Sequence, residues 1–293
     1  MKSRTVAYIE LFLAAITWSS FFIFSKELEK VGLEPVNIIS ARMIFAALIY
    51  AAIALPLKLK IPSIIKNPLL ITPGLTFFVA AVMIATGEEG QSPGLTAFIG
   101  FLVPIIISLF FLEKLHIKLS HLGIVSLIVA IVGFTLTGFG DEIRMNLSVI
   151  YTFIGACFAG LYFVTQKFLV KQHGPYVVTF FAFWGAVPIA IFFIPSFLGQ
   201  VSLMNGYSWI MLMGLTIFST LIPFFLYTHA MRDLGPAEGT AVNLLIPFAG
   251  SLLSFAIGGY GLTSISVIGG LLTLVGVCFY VFKGINRQDD PVK

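Results

Sequence analysis

Polar side chains recur at helical spacing inside one long apolar segment. In TAVNLLIPFAGSLLS, residues 240–254, the steps between Thr240, Asn243, Pro247, Ser251 and Ser254 are 3, 4, 4 and 3, so all five share one helix face. Hydroxyls and amides are favoured within a bilayer only where they meet protein or a water-filled cavity. The pattern therefore indicates either a helix contact or the wall of a pocket that binds a small solute.

Three further apolar segments carry stripes of small and polar residues. These stripes are Thr96, Gly100, Pro104 and Ser108; Tyr151, Gly155, Phe158, Tyr162 and Gln166; and Thr216, Thr220, Pro223 and Tyr227. A single serine or glycine on such a face is typical of close helix packing. Asn243, Tyr162 and Tyr227 are bulky polar groups that suit close packing poorly, so together they favour a pocket.

Pro104, Pro223 and Pro247 lie in the middle of these segments. Proline has no N–H, which leaves the carbonyl four residues earlier without its usual donor. For Pro247 that carbonyl belongs to Asn243. Irregular backbone is tolerated at membrane depth where it borders a cavity, so we expect hinges or kinks beside the pocket; a static packing kink is the alternative.

Ionisable residues within the apolar segments are few. Arg42 lies about two helical turns, roughly 10 Å, inside the second segment. Its guanidinium either extends to the interface or faces the pocket and meets an anion such as a carboxylate. Glu10 lies near one end of the first segment, and the four histidines fall near segment ends without metal-binding spacing, so we expect these side chains to be solvated.

Several kinds of chemistry lack their sequence motifs. The chain has no GxxxxGK[ST], HExxH or TVGYG-like motif. No carboxylate lies near the middle of an apolar segment, which favours facilitated movement or exchange over strict proton coupling. Proton coupling through Glu10, Glu88 or Glu89 is the alternative. We predict no catalytic residues, no metal site and no cofactor.

The segments that carry these residues are those of a membrane protein. Of its 293 residues 58% are hydrophobic and 10% are charged, whereas a soluble domain has roughly 25% charged residues. We predict an all-α polytopic membrane protein with ten transmembrane helices of about 20 residues each. The predicted helices are 6–25, 36–56, 68–86, 93–112, 119–138, 147–167, 175–195, 207–230, 237–258 and 264–283.

Basic residues are distributed unevenly between the ends of these helices. With a cytoplasmic N-terminus, thirteen lysines and arginines lie on the cytoplasmic side, and only Lys26, Lys30 and Arg144 lie outside. This distribution satisfies the positive-inside rule and predicts a multi-pass protein of the plasma membrane with both termini cytoplasmic. The basic pI thus reflects topology and not a nucleic-acid partner. The predicted partners are a small-molecule substrate and the lipid bilayer, and both a monomer and a homodimer are compatible with the sequence.

The two halves of the chain resemble each other. TAFIGFLVPIIISL, 96–109, is similar to TAVNLLIPFAGSLL, 240–253. Matched residues are Pro104 with Pro247 and Gly133 with Gly276, both 143 apart, and Lys26 with Lys167, 141 apart. Five helices per repeat is an odd number, so the second repeat must be inverted. We predict two inverted five-helix repeats, 1–140 and 141–293, an arrangement that suits alternating access.

Several motifs resemble a known family. LFLAAITWSSFFIFSK, 11–26, is similar to the first helix of the ten-helix EamA-type carriers of the drug/metabolite transporter superfamily, and 224–255 is similar to their eighth and ninth helices. Arg42 resembles the arginine of their second helix. Two positions depart from the family pattern, because Glu113 comes about one turn early for the Gly-Glu step after the fourth helix and Tyr260 replaces the second glutamate.

The resemblance implies a secondary transporter that closes inward and opens outward around a central cavity. Near the substrate it would place Trp18, Phe21, Phe78, Thr96, Tyr162, Tyr227 and Asn243, of which the polar stripes independently select the last four. The leading hypothesis is export of a small amphipathic metabolite, foremost an amino acid, including aromatic ones. The alternatives are transport of quaternary ammonium or other lipophilic cations and, in another class, a membrane enzyme or lipid-handling scaffold.

Overall fold

Ten long helices make up almost all of the chain that the computed structural model describes, which is residues 4–56, 58, 62, 67–88, 93–110, 117–138, 147–258, 264–281 and 285–287. The helices are α1 (Arg4–Lys30), α2 (Pro35–Ala54), α3 (Thr72–Glu88), α4 (Pro93–Phe110), α5 (His121–Gly138), α6 (Leu147–His173), α7 (Pro175–Leu203), α8 (Gly206–Ala230), α9 (236–258) and α10 (Ser264–Phe279). The ten predicted segments and the ten helices correspond one to one, so the prediction of an all-α polytopic membrane protein is confirmed.

Four of these helices contain interruptions, and a 3-10 turn, Pro68–Ile71, precedes α3. The pieces of α1 are Arg4–Ser19 and Phe21–Lys30, and those of α9 are Pro236–Asn243 and Leu245–Gly258. α8 consists of Gly206–Thr216, a π-helical turn Ile217–Leu221, and Ile222–Ala230. α7 consists of Pro175–Trp184, Val187–Ala190, Ile191–Phe193, Ile194–Gln200 and Val201–Leu203.

The outward faces of the helices are apolar, as lipid requires. On α1, for example, Ile9, Leu13 and Ile16 follow at helical spacing and are 46–53% exposed. By length and composition, six helical stretches in the described residues can cross a membrane, and two shorter ones, His121–Leu136 and Val267–Phe279, are also apolar. The six are Arg4–Lys30, Pro35–Ala54, Pro68–Gly87, Leu147–His173, Pro175–Leu203 and Gly206–Ala230.

Two short strands connect distant parts of the chain. β1 (Ile117–Leu119) precedes α5, and β2 (Ile285–Arg287) follows α10. They pair antiparallel, with Ile117 opposite Arg287. The pairing holds the start of α5 close to the segment that follows α10.

Helix packing follows an approximate two-fold relation between the halves. Each helix of the first half corresponds to the helix five places later in the second half. The contact between α3 and α6 thus corresponds to the contact between α8 and α1, and the contact between α4 and α6 corresponds to that between α9 and α1. α2 and α7 are equivalent to each other and are in contact, and the same is true of α5 and α10. The predicted pair of five-helix repeats is therefore present in the packing.

Two glycines allow the close crossing of α5 and α10. A Cβ atom on Gly133 would overlap the backbone nitrogen of Thr273, and one on Gly276 would overlap the backbone nitrogen of Ala130. Ala130 and Thr273 are 143 residues apart, as are Gly133 and Gly276, so the repeat relation exchanges one contact for the other. Small residues are the usual means by which membrane helices approach this closely.

Alanine at either crossing glycine should therefore destabilise the protein. For Gly133→Ala and Gly276→Ala we expect losses of about 1–3 kcal/mol, because backbone atoms cannot move aside as a flexible side chain would. Thermal unfolding in detergent measures the effect. Gly199→Ala is the matched control, since a Cβ at that helical glycine would meet no atom within 4 Å. Equal melting temperatures for Gly133→Ala and Gly199→Ala would contradict the close crossing.

Candidate functional site

Six aromatic side chains from α1, α3, α6 and α8 contact one another between these helices. We call Trp18, Phe77, Tyr162, Phe163, Phe224 and Tyr227 the ring cluster. The Trp18 centroid lies 5.5 Å from those of both Phe224 and Tyr227, and the Tyr162 centroid lies 5.2 Å from that of Phe77. The rings are edge-on or tilted, the arrangement that the aromatic quadrupole favours.

Arg42 of α2 adjoins the ring cluster. Its guanidinium carbon lies 5.8 Å from the centroid of Phe77 and 4.8 Å from that of Phe21. The residue is only 4% exposed, so the guanidinium lies inside the protein and does not extend to the interface. In the described part of the chain no carboxylate pairs with Arg42, and its Nε atom has no hydrogen-bond partner.

Polar side chains from α6 and α8 are hydrogen-bonded beside the rings. Gln166 Nε2 donates to the hydroxyl of Tyr162 at 2.7 Å, and the hydroxyl of Thr228 donates to Gln166 Oε1 at 3.2 Å. All three residues are fully buried. The hydroxyl of Tyr227, also buried, has no partner among the described residues.

α9 reaches the ring cluster through a glycine. A Cβ atom on Gly239 would lie 2.8 Å from ring atoms of Tyr227, so only glycine allows this approach. Asn243 follows one turn later, is 3% exposed, and has no described partner for Nδ2. The helix is interrupted at Leu244, directly after Asn243, where Pro247 removes the donor for the Asn243 carbonyl.

The other two predicted hinge prolines differ from each other. Pro223 lies two residues after the π-helical turn Ile217–Leu221. Within that turn, the Thr220 hydroxyl donates to the carbonyl of Leu215, five residues earlier. Single π-helical turns often occur at functional sites. Pro104, by contrast, lies inside an unbroken α4. The backbone is thus irregular beside the ring cluster in α8 and α9 and regular at Pro104 in α4.

Sequence reasoning missed two other breaks. α1 is interrupted at Ser20, whose hydroxyl lies 2.6 Å from that of Ser219 in the π-helical turn of α8. The hydroxyls of TWSS bond back to carbonyls in their own helix, a habit that bends helices, so the sequence did carry a signal. The breaks in α7 lie near Pro188 and Pro195, which were also visible in the sequence.

The structure brings together most, but not all, of the predicted site residues. Trp18, Tyr162 and Tyr227 belong to the ring cluster, Phe21 contacts Arg42, and Asn243 lies one turn beyond the contact of α9 with Tyr227. Phe78 packs instead on Phe193 of α7, with centroids 6.2 Å apart, and its neighbour Phe77 occupies the ring cluster. The side chain of Thr96 lies outside the described residues.

Ion pairs gather at the membrane face where α1 begins, which we call the N-terminal face. Contrary to the expectation of solvated side chains, Glu10 of α1 pairs with His229 of α8 at 2.7 Å, and their side chains are only 14% and 7% exposed. Arg4 pairs with buried Glu238 of α9 at 3.1 Å. Lys167 of α6 donates to the carbonyl of Met231 at the end of α8. These contacts connect α1, α6, α8 and α9 between the ring cluster and the N-terminal face.

Comparison with known proteins identifies similar sequences and similar solved structures. The model of the EamA-like transporter family matches twice, at residues 5–139 and 146–282. Uncharacterized transporter YdfC of Bacillus subtilis (strain 168) is 24% identical over 266 residues, which cover 88% of this chain and 85% of that protein. An uncharacterized transporter of Archaeoglobus fulgidus is 25% identical over 135 residues, 46% of this chain and 47% of that protein. A solved structure described as "Crystal structure of protein" shares the fold, with a TM-score of 0.79 at 17% identity, over 94% of this chain and 96% of the other.

The Glu10–His229 pair should stabilise the packing of α1 on α8. We expect Glu10→Ala to lower the free energy of unfolding by about 1–3 kcal/mol, because it leaves the buried imidazole without this hydrogen-bond partner. Thermal and chemical unfolding in detergent measure the loss. Glu27→Ala is the control, since Glu27 pairs with the exposed Lys30, and such surface pairs contribute at most about 1 kcal/mol.

A double-mutant cycle isolates the pair from the rest of the packing. Glu10→Ala and His229→Ala together should destabilise the protein by at least about 1 kcal/mol less than the sum of the single changes. Strictly additive losses would mean that the two side chains do not interact in the folded protein.

Proposed function

We propose that this chain, which belongs to the EamA-like transporter family, is a secondary transporter that exports a small amphipathic metabolite with a carboxylate group by alternating access. Amino acids, including aromatic ones, are the leading class of substrate. We further propose that it lies in the plasma membrane with both termini cytoplasmic, so that the N-terminal face is the cytoplasmic face. Family membership and the transporter relatives favour this class over a membrane enzyme or a lipid-handling scaffold.

One observation carries the choice of a carboxylate. Arg42 Nε and Asn243 Nδ2 are buried hydrogen-bond donors with no acceptor in the described residues. A buried donor without an acceptor costs about 1–3 kcal/mol, and more when it is charged. A carboxylate accepts several hydrogen bonds and neutralises a guanidinium, so it matches this donor set.

The ring cluster supplies the apolar half of the proposed site. Its six rings form a large apolar surface beside Arg42, and pockets of this composition bind amphipathic molecules with the polar end oriented by a few hydrogen bonds. Tyr162 and Tyr227 are fully buried, whereas Phe21 and Phe77 on the side of Arg42 are only partly buried. These differences and the ion pairs at the N-terminal face support a conformation that is closed toward the N-terminal face.

A lipophilic cation is the second candidate substrate, because clusters of aromatic rings also bind cations. Arg42 lies against two of the rings that such a cation would use, and no described carboxylate neutralises it. A cation bound on these rings would be repelled by the guanidinium of Arg42, so the position of Arg42 favours the carboxylate over the cation.

Transport by the purified protein in liposomes tests the proposal directly. We expect labelled aromatic amino acids to leave preloaded liposomes that contain the protein faster than they leave protein-free liposomes. The same amino acids, added unlabelled to the medium, should accelerate that exit by exchange. Uptake of the same amino acids from the medium into unloaded liposomes measures transport in the import direction. If neither amino acids nor other metabolites with a carboxylate moved faster than in empty liposomes, the proposal would be wrong.

Removal of the Arg42 guanidinium should separate the two candidate substrates. We expect Arg42→Ala to weaken carboxylate binding at least tenfold, since loss of one partner of a buried charge pair costs about 2–5 kcal/mol. Arg232→Ala is the matched control, because Arg232 is exposed and pairs with the adjacent Asp233. Equilibrium binding and transport are measured on protein shown to be folded by size-exclusion chromatography. Faster transport of a quaternary ammonium compound by Arg42→Ala, with unchanged carboxylate transport, would favour the cation.

A further inference from the structure

Gln166 lies on the polar stripe of α6, and the proposed function does not yet assign a role to it. It connects two helices, because its amide lies between the hydroxyl of Tyr162, one turn earlier on α6, and that of Thr228 on α8. The three side chains are 0% exposed, so water does not compete for these hydrogen bonds. A buried amide between two hydroxyls sets which of its neighbours donates and which accepts.

The direction of the hydrogen bonds determines what Tyr162 offers to a ligand. Thr228 donates to Gln166 Oε1, and the opposite end of the amide, Nε2, donates to the oxygen of Tyr162. A phenol has one hydrogen, and with its oxygen occupied as an acceptor that hydrogen must be donated elsewhere. Within the described residues no acceptor is hydrogen-bonded to it, and the tyrosine ring contacts Phe77, which adjoins Arg42.

We propose that Gln166 is a specificity-determining positioning residue that makes Tyr162 a hydrogen-bond donor to the substrate. Tyr162 then favours a carboxylate over a carboxamide, because the hydrogen bond that it donates to an ionised oxygen is stronger than the one it donates to a neutral amide oxygen. Thr228 contributes by holding the amide of Gln166 in the required orientation. The inference rests on the proposed function, since it assigns a role within the same carboxylate site.

Gln166→Glu tests this role with almost no change of shape. When ionised, a glutamate at this position only accepts hydrogen bonds, so the Tyr162 hydroxyl must turn toward it and present its oxygen lone pairs to the ligand. Binding of phenylalanine and of phenylalanine amide is measured at equilibrium. We expect the ratio of the two affinities to change at least tenfold in favour of the amide, with the amide itself binding as well as or better than to the wild-type protein.

A second background separates this effect from plain charge repulsion. In a Tyr162→Phe protein there is no hydroxyl to reorient, so adding Gln166→Glu should leave most of the selectivity ratio unchanged. Repulsion between the new carboxylate and the substrate would instead change the ratio equally in both backgrounds. That result, or an unchanged ratio in the Gln166→Glu protein alone, would overturn the proposal.

Two further results connect the network to the ligand. Thr228→Val, which removes the hydroxyl but keeps the shape, should reduce the preference for phenylalanine over its amide. Thr216→Val should not, because the buried Thr216 hydroxyl on the same helix donates to its own helix at Leu212. Equal effects of the two threonine variants would assign Gln166 to helix packing alone. If the wild-type protein bound neither compound nor any other carboxylate, the proposed function itself would fail and this inference with it.

Discussion

The scarcity of water inside a bilayer is the constraint on which the rest of this structure depends. Every polar group at membrane depth must find its partner within the protein or in a cavity that the protein encloses. Most hydroxyls here meet this requirement locally, as those of Thr17, Thr165 and Thr216 do by donating to carbonyls three or four residues earlier. Arg42 Nε and Asn243 Nδ2 have no such partner among the described residues, although both residues are more deeply buried than Thr17 and Thr165. Other buried polar atoms of the described residues, such as those of Thr179 and Trp184, also lack a partner, so what distinguishes Arg42 is its position against the rings beside the proposed site.

The repeat relation determines the packing but not the local backbone. Pro104 and Pro247 occupy equivalent positions, yet α4 continues through Pro104 whereas α9 breaks before Pro247. Proline alone therefore does not determine the break. The residue whose carbonyl loses its donor is Gly100 in one repeat and Asn243 in the other, and only the second carries a polar side chain. Equivalent helices in two different conformations are compatible with the proposed alternating access, in which two gates must not be open together.

Sequence reasoning recovered the architecture better than the site. Hydropathy, helix length and a constant offset are summed over many residues, so the ten helices and the two repeats could be predicted. A contact between two side chains depends on single residues, so no sum over many positions makes it predictable. Phe77 and Phe78 are neighbours in a chain with 30 phenylalanines, and a step of one residue turns a helix by about 100°, so the sequence could not show which ring joins the cluster. Glu10 and His229 are 219 residues apart, and nothing local to either indicates the other.

The surroundings of Arg42 explain why a buried guanidinium is compatible with both a folded protein and a binding site. Two aromatic rings contact it, and each such contact contributes about 0.5–2 kcal/mol. That is less than the several kcal/mol by which burial disfavours an ion, so the rings stabilise the charge only in part. In the proposed site, a carboxylate that enters beside Arg42 would gain part of the remainder as binding energy, reduced by the cost of its own desolvation. Replacement of Phe21 or Phe77 by an acidic residue would neutralise Arg42 permanently, and the substrate would then lose that energy. The rings thus hold the guanidinium in position while leaving its charge available to the ligand.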